Sequence, residues 1–171
     1  MEYEHIDRIT ADAIGDPGQR VFYLQARQGD DIVTILVEKQ QVQLLAASIL
    51  EVLARIGQET GPGPDEEEMD LENPIDPLWR AGRLSIGYSE DTDRMLIEID
   101  ELVPEDEEGT AEREPDHALF WGTREQMLSL SRHGAVVCEQ GRPACEFCGN
   151  PMDPEGHACP ATNGHKRLGA D

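Results

Sequence analysis

The most regular stretch of the chain lies between positions 42 and 56. Val42, Leu45, Ile49, Val52, Leu53 and Ile56 recur at the three- and four-residue spacing that lines one face of an α-helix. Gly57 and the run Gly61-Pro62-Gly63-Pro64 follow, and such residues stop a helix. Ahead of this helix the period shortens to two. Phe22, Leu24 and Ala26 share one face between Arg20 and Arg27. The run from Ile32 to Glu38 is β-branched and apolar, as a well-buried strand is. Gly29-Asp30-Asp31 between them predicts a hairpin, and Asp16-Pro17-Gly18 predicts a turn. A weaker strand pattern covers His5 to Ile14.

The second half follows the same order. Trp79 to Tyr88 places Leu84, Ile86 and Tyr88 on one face. Arg94 to Leu102 turns Met95, Ile97 and Ile99 inward against Glu98 and Asp100 outward, and Ala118 to Trp121 is a short aromatic strand. Thr123 is suited to cap a second helix, with Gln126 placed to complete a capping box and Met127, Leu130 and Val137 behind it. Both helix starts carry glutamine in a polar stretch, Glu38-Lys39-Gln40-Gln41 and Thr123-Arg124-Glu125-Gln126. The expected fold is α+β: a mainly antiparallel sheet covered by two helices, with a C-terminal zinc-knuckle tail. A strand-strand-strand-helix duplication accounts for the repeated order, although placing amphipathic helices on any twisted sheet gives a similar one.

This pattern divides the chain into an α+β body, 1–140, and a tail, 141–171. The halves of the body run over about 1–59 and 78–140, separated and interrupted by acidic loops at 60–77 and 104–116. The first loop carries Asp65, Glu66, Glu67, Glu68, Asp70 and Glu72, so packing it would bury unpaired charge and exposure is expected.

Charge narrows the field of partners. Among 171 residues there are 36 acids against 14 bases, a net charge of −22. Such a surface repels phosphate backbones and anionic membranes, so nucleic acid is disfavoured, no membrane is expected, and protein is the expected partner. No run approaches the roughly 20 apolar residues of a membrane span. The acidic start, Met1-Glu2-Tyr3-Glu4-His5, lacks the features of a signal peptide. The expected location is the cytoplasm, where the four cysteines are reduced thiols or metal ligands.

The chemistry concentrates in the tail. Cys145 and Cys148 are separated by two residues, close enough to grip one ion, and Gly149 follows where the turn needs positive φ. His157 and Cys159 are two apart, which in an extended segment points both to one side. Cys145, Cys148, His157 and Cys159 therefore form the predicted zinc site, with His165 and Cys138 as alternative ligands. Cys138 reads more naturally as a core or helix-end thiol. The Cys-x-x-Cys spacing also occurs in redox pairs, but those belong at a strand-to-helix junction. Four protein ligands saturate zinc, so its expected role is structural.

The tail also resembles a family. Gly141-Arg142-Pro143, Cys145, Cys148-Gly149, Pro151, Asp153-Pro154, Gly156-His157, Cys159-Pro160 and Asn163-Gly164 match the C-terminal signature of an uncharacterised conserved family. That family is found mainly in actinobacteria and is classed as a domain of unknown function. Phe22 to Arg27 and Glu38 to Val42 resemble its N-terminal signature. The resemblance implies the four ligand positions and no catalytic residue. It further implies a pathway shared with a histidine-phosphatase-like protein and a kinase-like protein, whose genes often lie beside those of its members.

Three functions compete on this reading. The first is a zinc-containing binding or adaptor protein. The second is an enzyme or accessory subunit acting on a small molecule, for which the strand–helix junction Glu38, Lys39, Gln40 and Gln41 is the candidate site; a solvated helix start explains the same residues. The third is single-stranded nucleic-acid binding, through strand-borne Phe22 and Tyr23 or the knuckle. No phosphate-binding glycine loop, Ser-His-Asp arrangement or catalytic carboxylate pair stands out.

Overall fold

The computed structural model describes residues 1–104, 113–141, 145–150, 152 and 159–162. Among these residues seven strands form one sheet: β1 (Glu2–Tyr3), β2 (Arg8–Ile14), β3 (Val21–Gln28), β4 (Asp31–Val37), β5 (Pro77–Ser89), β6 (Arg94–Glu101) and β7 (His117–Thr123). Helix α1 (Lys39–Ile56) follows β4, and α2 (Arg124–Glu139) follows β7. The order is β1-β7-β6-β5-β4-β3-β2, antiparallel except where β1 meets β7 and β4 meets β5. This is the expected α+β fold, with a mostly antiparallel sheet and two helices. Among the described residues no helix is long and apolar enough to cross a membrane.

The sheet cannot be flat. Strands β1 and β2 stand at its opposite ends, yet only residues 4–7 separate them. Seven flat strands would set the ends about 29 Å apart, at about 4.8 Å per step. The five-residue path from Tyr3 to Arg8 spans at most about 18 Å. The sheet therefore curls until its ends meet. The bridging backbone bonds to both: the Ile6 amide donates to the Trp121 carbonyl at 3.3 Å and the Asp7 amide to the Arg27 carbonyl at 2.8 Å.

The predicted apolar faces all turn to one side of this sheet. Leu24, Ile35, Ile97, Ile99 and Phe120 are buried there, under Val42, Leu45 and Ile49 of α1 and Met127, Leu130 and Val137 of α2. Tyr3 stacks on Phe120 with ring centroids 5.8 Å apart, which fixes the short β1 that sequence periodicity did not reveal.

The two halves share connectivity and register. Arg8–Ile14 pairs back against Val21–Arg27 as Arg83–Ser89 pairs against Arg94–Asp100. Val37 opposite Phe22 corresponds to Gly122 opposite Met95. Continued without a gap, this match sets Gln41 on Gln126 and Ala46 on Ser131. The glutamines behave alike. Each accepts from the backbone amide just ahead of its helix, Glu38 at 2.8 Å and Thr123 at 2.9 Å. Each then donates to a backbone carbonyl of the other half, Gly82 at 3.0 Å and Ile6 at 2.9 Å. Ala46 and Ser131 meet where the helices cross, the Ser131 hydroxyl donating to the Ala46 carbonyl at 2.7 Å. A pseudo-twofold axis thus passes between them, and the fold is the same strand-strand-strand-helix unit used twice.

The acidic segment between α1 and β5 is more firmly held than its composition implied. Asp65 to Glu68 and Asp70 are exposed, as expected, but Met69 is 1% exposed and joins the core. Its carbonyl accepts from the buried Thr10 hydroxyl. Gln25 clamps Glu72 from both sides, donating to its carbonyl at 2.9 Å and accepting its amide at 2.7 Å. Arg27 pairs with the Glu72 carboxylate at 2.9 Å, and Arg8 donates to the Glu68 and Asp70 carbonyls. One apolar side chain goes in while the carboxylates stay wet or paired, so no unpaired charge is buried. Met69→Ala is expected to lower unfolding free energy by about 2–5 kcal/mol. Urea denaturation measures the loss, and faster proteolysis between α1 and β5 should accompany it.

Candidate metal centre

The residues after α2 build a tight sulfur turn. The Cys145 amide donates to the Asn150 carbonyl at 2.8 Å, and the Gly149 amide donates to the Cys145 carbonyl at 2.9 Å. Gly149 sits at φ 75°, the positive value expected of it. The ligand atoms of Cys145, Cys148 and Cys159 lie within 4.8 Å of one another. Cys145 and Cys159 are buried with their sulfurs 3.7 Å apart. A disulfide needs about 2.05 Å, whereas tetrahedral zinc with bonds of about 2.3 Å sets two sulfurs about 3.8 Å apart. The donor set therefore fits a thiophilic metal ion.

The electrostatics fit as well. The backbone amides of Cys148 and Phe147, the latter 3.5 Å from the sulfur, hold the Cys145 thiol below its ordinary pKa. Cys148 is pushed up, because burial and the two neighbouring sulfurs outweigh the favourable Asn150 amide. Three thiols packed this closely cannot all ionise without a cation to offset the charge.

His157 and His165 lie outside the described residues. Cys138 is described and is not in the cluster. It is buried at the end of α2, its thiol 3.8 Å from the Lys39 carbonyl and raised in pKa by burial, as a core thiol should be.

The family model for proteins of unknown function, DUF3090, matches residues 1–159. The chain belongs to this family. No curated protein and no solved structure matches it. The DUF3090 match takes in both halves of the sheet, both helices and all three converging cysteines.

The strand–helix junction of this DUF3090 chain has structural partners. Glu38 pairs with Arg80, and the Gln41 amide is used at both ends, as described above. Lys39 and Gln40 are exposed. These bonds tie the start of α1 to β5.

A second titratable cluster was not legible from spacing alone. His133 is 6% exposed, with Nδ1 hydrogen-bonded to the Glu66 carboxylate and Nε2 3.7 Å from Asp12 Oδ2. Burial alone would lower its pKa, but Asp12 and Glu66 outweigh it and the net shift is upward. The available signal was its position: His133 falls three residues after Leu130 and four before Val137, on the buried face of α2. A raised folded pKa gives stability that is complete below the unfolded value of about 6.5 and fades as pH rises through the folded pKa. The advantage of the native protein over His133→Gln in urea should therefore shrink as pH rises from about 6. A constant gap across that range would show that the imidazolium contributes nothing.

Proposed function

We propose that this DUF3090 protein is a cytoplasmic, non-catalytic binding or adaptor module whose tail is held by one structural zinc ion. The convergence of three cysteine sulfurs within 4.8 Å carries the reading. His157, two residues before Cys159, is the proposed fourth ligand. Zinc bound there would supply cross-linking energy to a segment too short to form its own core. With four protein ligands it has no open position for a substrate or an activated water, which favours binding over catalysis. A cytoplasmic setting suits cysteines that are reduced and not joined in disulfides. The net charge of −22 favours a polypeptide partner over nucleic acid.

Metal content by mass spectrometry, on untagged protein purified without chelator, tests the centre. About one zinc per chain is expected. Cys148→Ser should weaken retention at least about tenfold, and His157→Ala should do likewise while leaving the far-ultraviolet circular dichroism of the body unchanged. Metal-free protein whose Cys145 and Cys148 cycle between thiol and disulfide would replace the structural zinc with a redox pair.

A further inference from the structure

The pseudo-twofold axis makes the two helix–strand angles comparable, and they are filled differently. Between α2 and β2 the angle is closed by the segment around Met69, bonded to Ser129, His133 and Thr10. The residues corresponding to these three are Leu44, Ser48 and Ser85, and they line an open groove of about 390 Å³ between α1 and β5. Through Val52, Arg55 and Ile86 the groove continues into a trough of about 600 Å³ that reaches Tyr88. Leu44 is 67% exposed at its rim, with Leu84 and Ile86 half-buried in its wall. Strand β4 pairs with β5 only as far as Arg80, so beyond it the edge of β5 facing α1 has no neighbouring strand among the described residues. An unpaired edge beside an apolar groove suits an extended segment.

Charge separates the two sites. On the filled side Arg8, Gln25 and Arg27 receive an acidic segment. By register the corresponding residues on the open side are Arg83, Glu98 and Asp100. The Glu98 carboxylate reaches the groove through the Ser85 hydroxyl at 3.4 Å. Glu51 and Glu90 flank it, and the nearby Arg55 is paired with Glu51 at 2.7 Å. The acceptor charge is thus largely reversed. We propose that the α1–β5 groove docks an extended segment of a partner protein, with an apolar side chain in the role of Met69 and Lys or Arg where the internal segment carries Asp or Glu. This rests on the binding-module reading and names the surface and the chemistry of its ligand.

Fluorescence anisotropy on the full zinc-loaded chain tests it. Two pools of labelled ten-residue peptides serve as probes, each with a central Met or Leu, flanked in one pool by Lys and Arg and in the other by Asp and Glu. The basic pool should bind and the acidic pool should not. Leu44→Glu and Ser48→Trp should each weaken binding tenfold or more without changing the melting temperature, and Val136→Asp on α2 should not. Glu98→Arg combined with Asp100→Arg should turn the preference to the acidic pool. Basic-pool binding that ignores Leu44→Glu and Ser48→Trp would overturn the groove while leaving a binding module intact. Binding of neither pool, or a dimer in sedimentation that Leu44→Glu dissociates, would overturn the partner segment. If, in addition, photoreactive residues at Ser48 and Val136 cross-link no polypeptide in cells, the binding-module reading falls with it.

Discussion

The backbone between Tyr3 and Arg8 sets the shape of this protein. It leaves the edge of β7, bonds to Trp121 and Arg27 in passing, and enters the opposite edge of the sheet beside β3. A chain this short cannot link the two ends unless the sheet rolls up. Once rolled, the sheet has an inner face that both helices share, and the helices are forced to cross at Ala46 and Ser131. The crossing is close. A methyl group on Gly134 would stand 3.1 Å from the Val42 side chain, tighter than ordinary contact. The same closure makes β2 and the second part of β5 comparable, since each leaves a parallel neighbour and faces a helix.

Symmetry of backbone with asymmetry of filling gives the fold its two characters. Around α2 the acidic segment is tied down by Arg124, Ser129 and His133, with Arg8, Thr10, Gln25 and Arg27 receiving it on the sheet. Gly63 lies there at φ 71°, so near the Glu125 backbone that a side chain would collide with it. Around α1 the matching surface is an open groove with Leu44, Val52, Leu84 and Ile86 in its lining, and Glu98 and Asp100 stand where the filled side has Gln25 and Arg27. The sulfur cluster joins Cys145 and Cys148 of one local turn to Cys159.

The local features were legible because local spacing specifies them. Helix periodicity gave both apolar faces, Thr123 and Gln126 gave the capping box, and Gly29 gave the hairpin turn at φ 61°. The Cys-x-x-Cys-Gly run gave the sulfur turn, and the tail signature gave the family. The repeated glutamine at both helix starts pointed to duplication, but two short stretches could not separate that from the ordinary placing of amphipathic helices on a twisted sheet. Register and hydrogen bonding could, because matched pairs on three strands leave only one superposition.

The sequence by itself determined which faces are apolar, where helices begin, and that Cys145, Cys148 and Cys159 can serve a soft metal. These depend on chemistry within a few positions along the chain. Only the tertiary structure decided that β1 closes the sheet, that Met69 carries an acidic segment into the core, and that His133 meets Asp12 and Glu66. It also decided that Glu98 and Asp100 stand where Gln25 and Arg27 stand in the other half. Each of those pairings joins residues far apart in sequence. Their energy comes from burial and charge neutralisation that exist only once the sheet has closed.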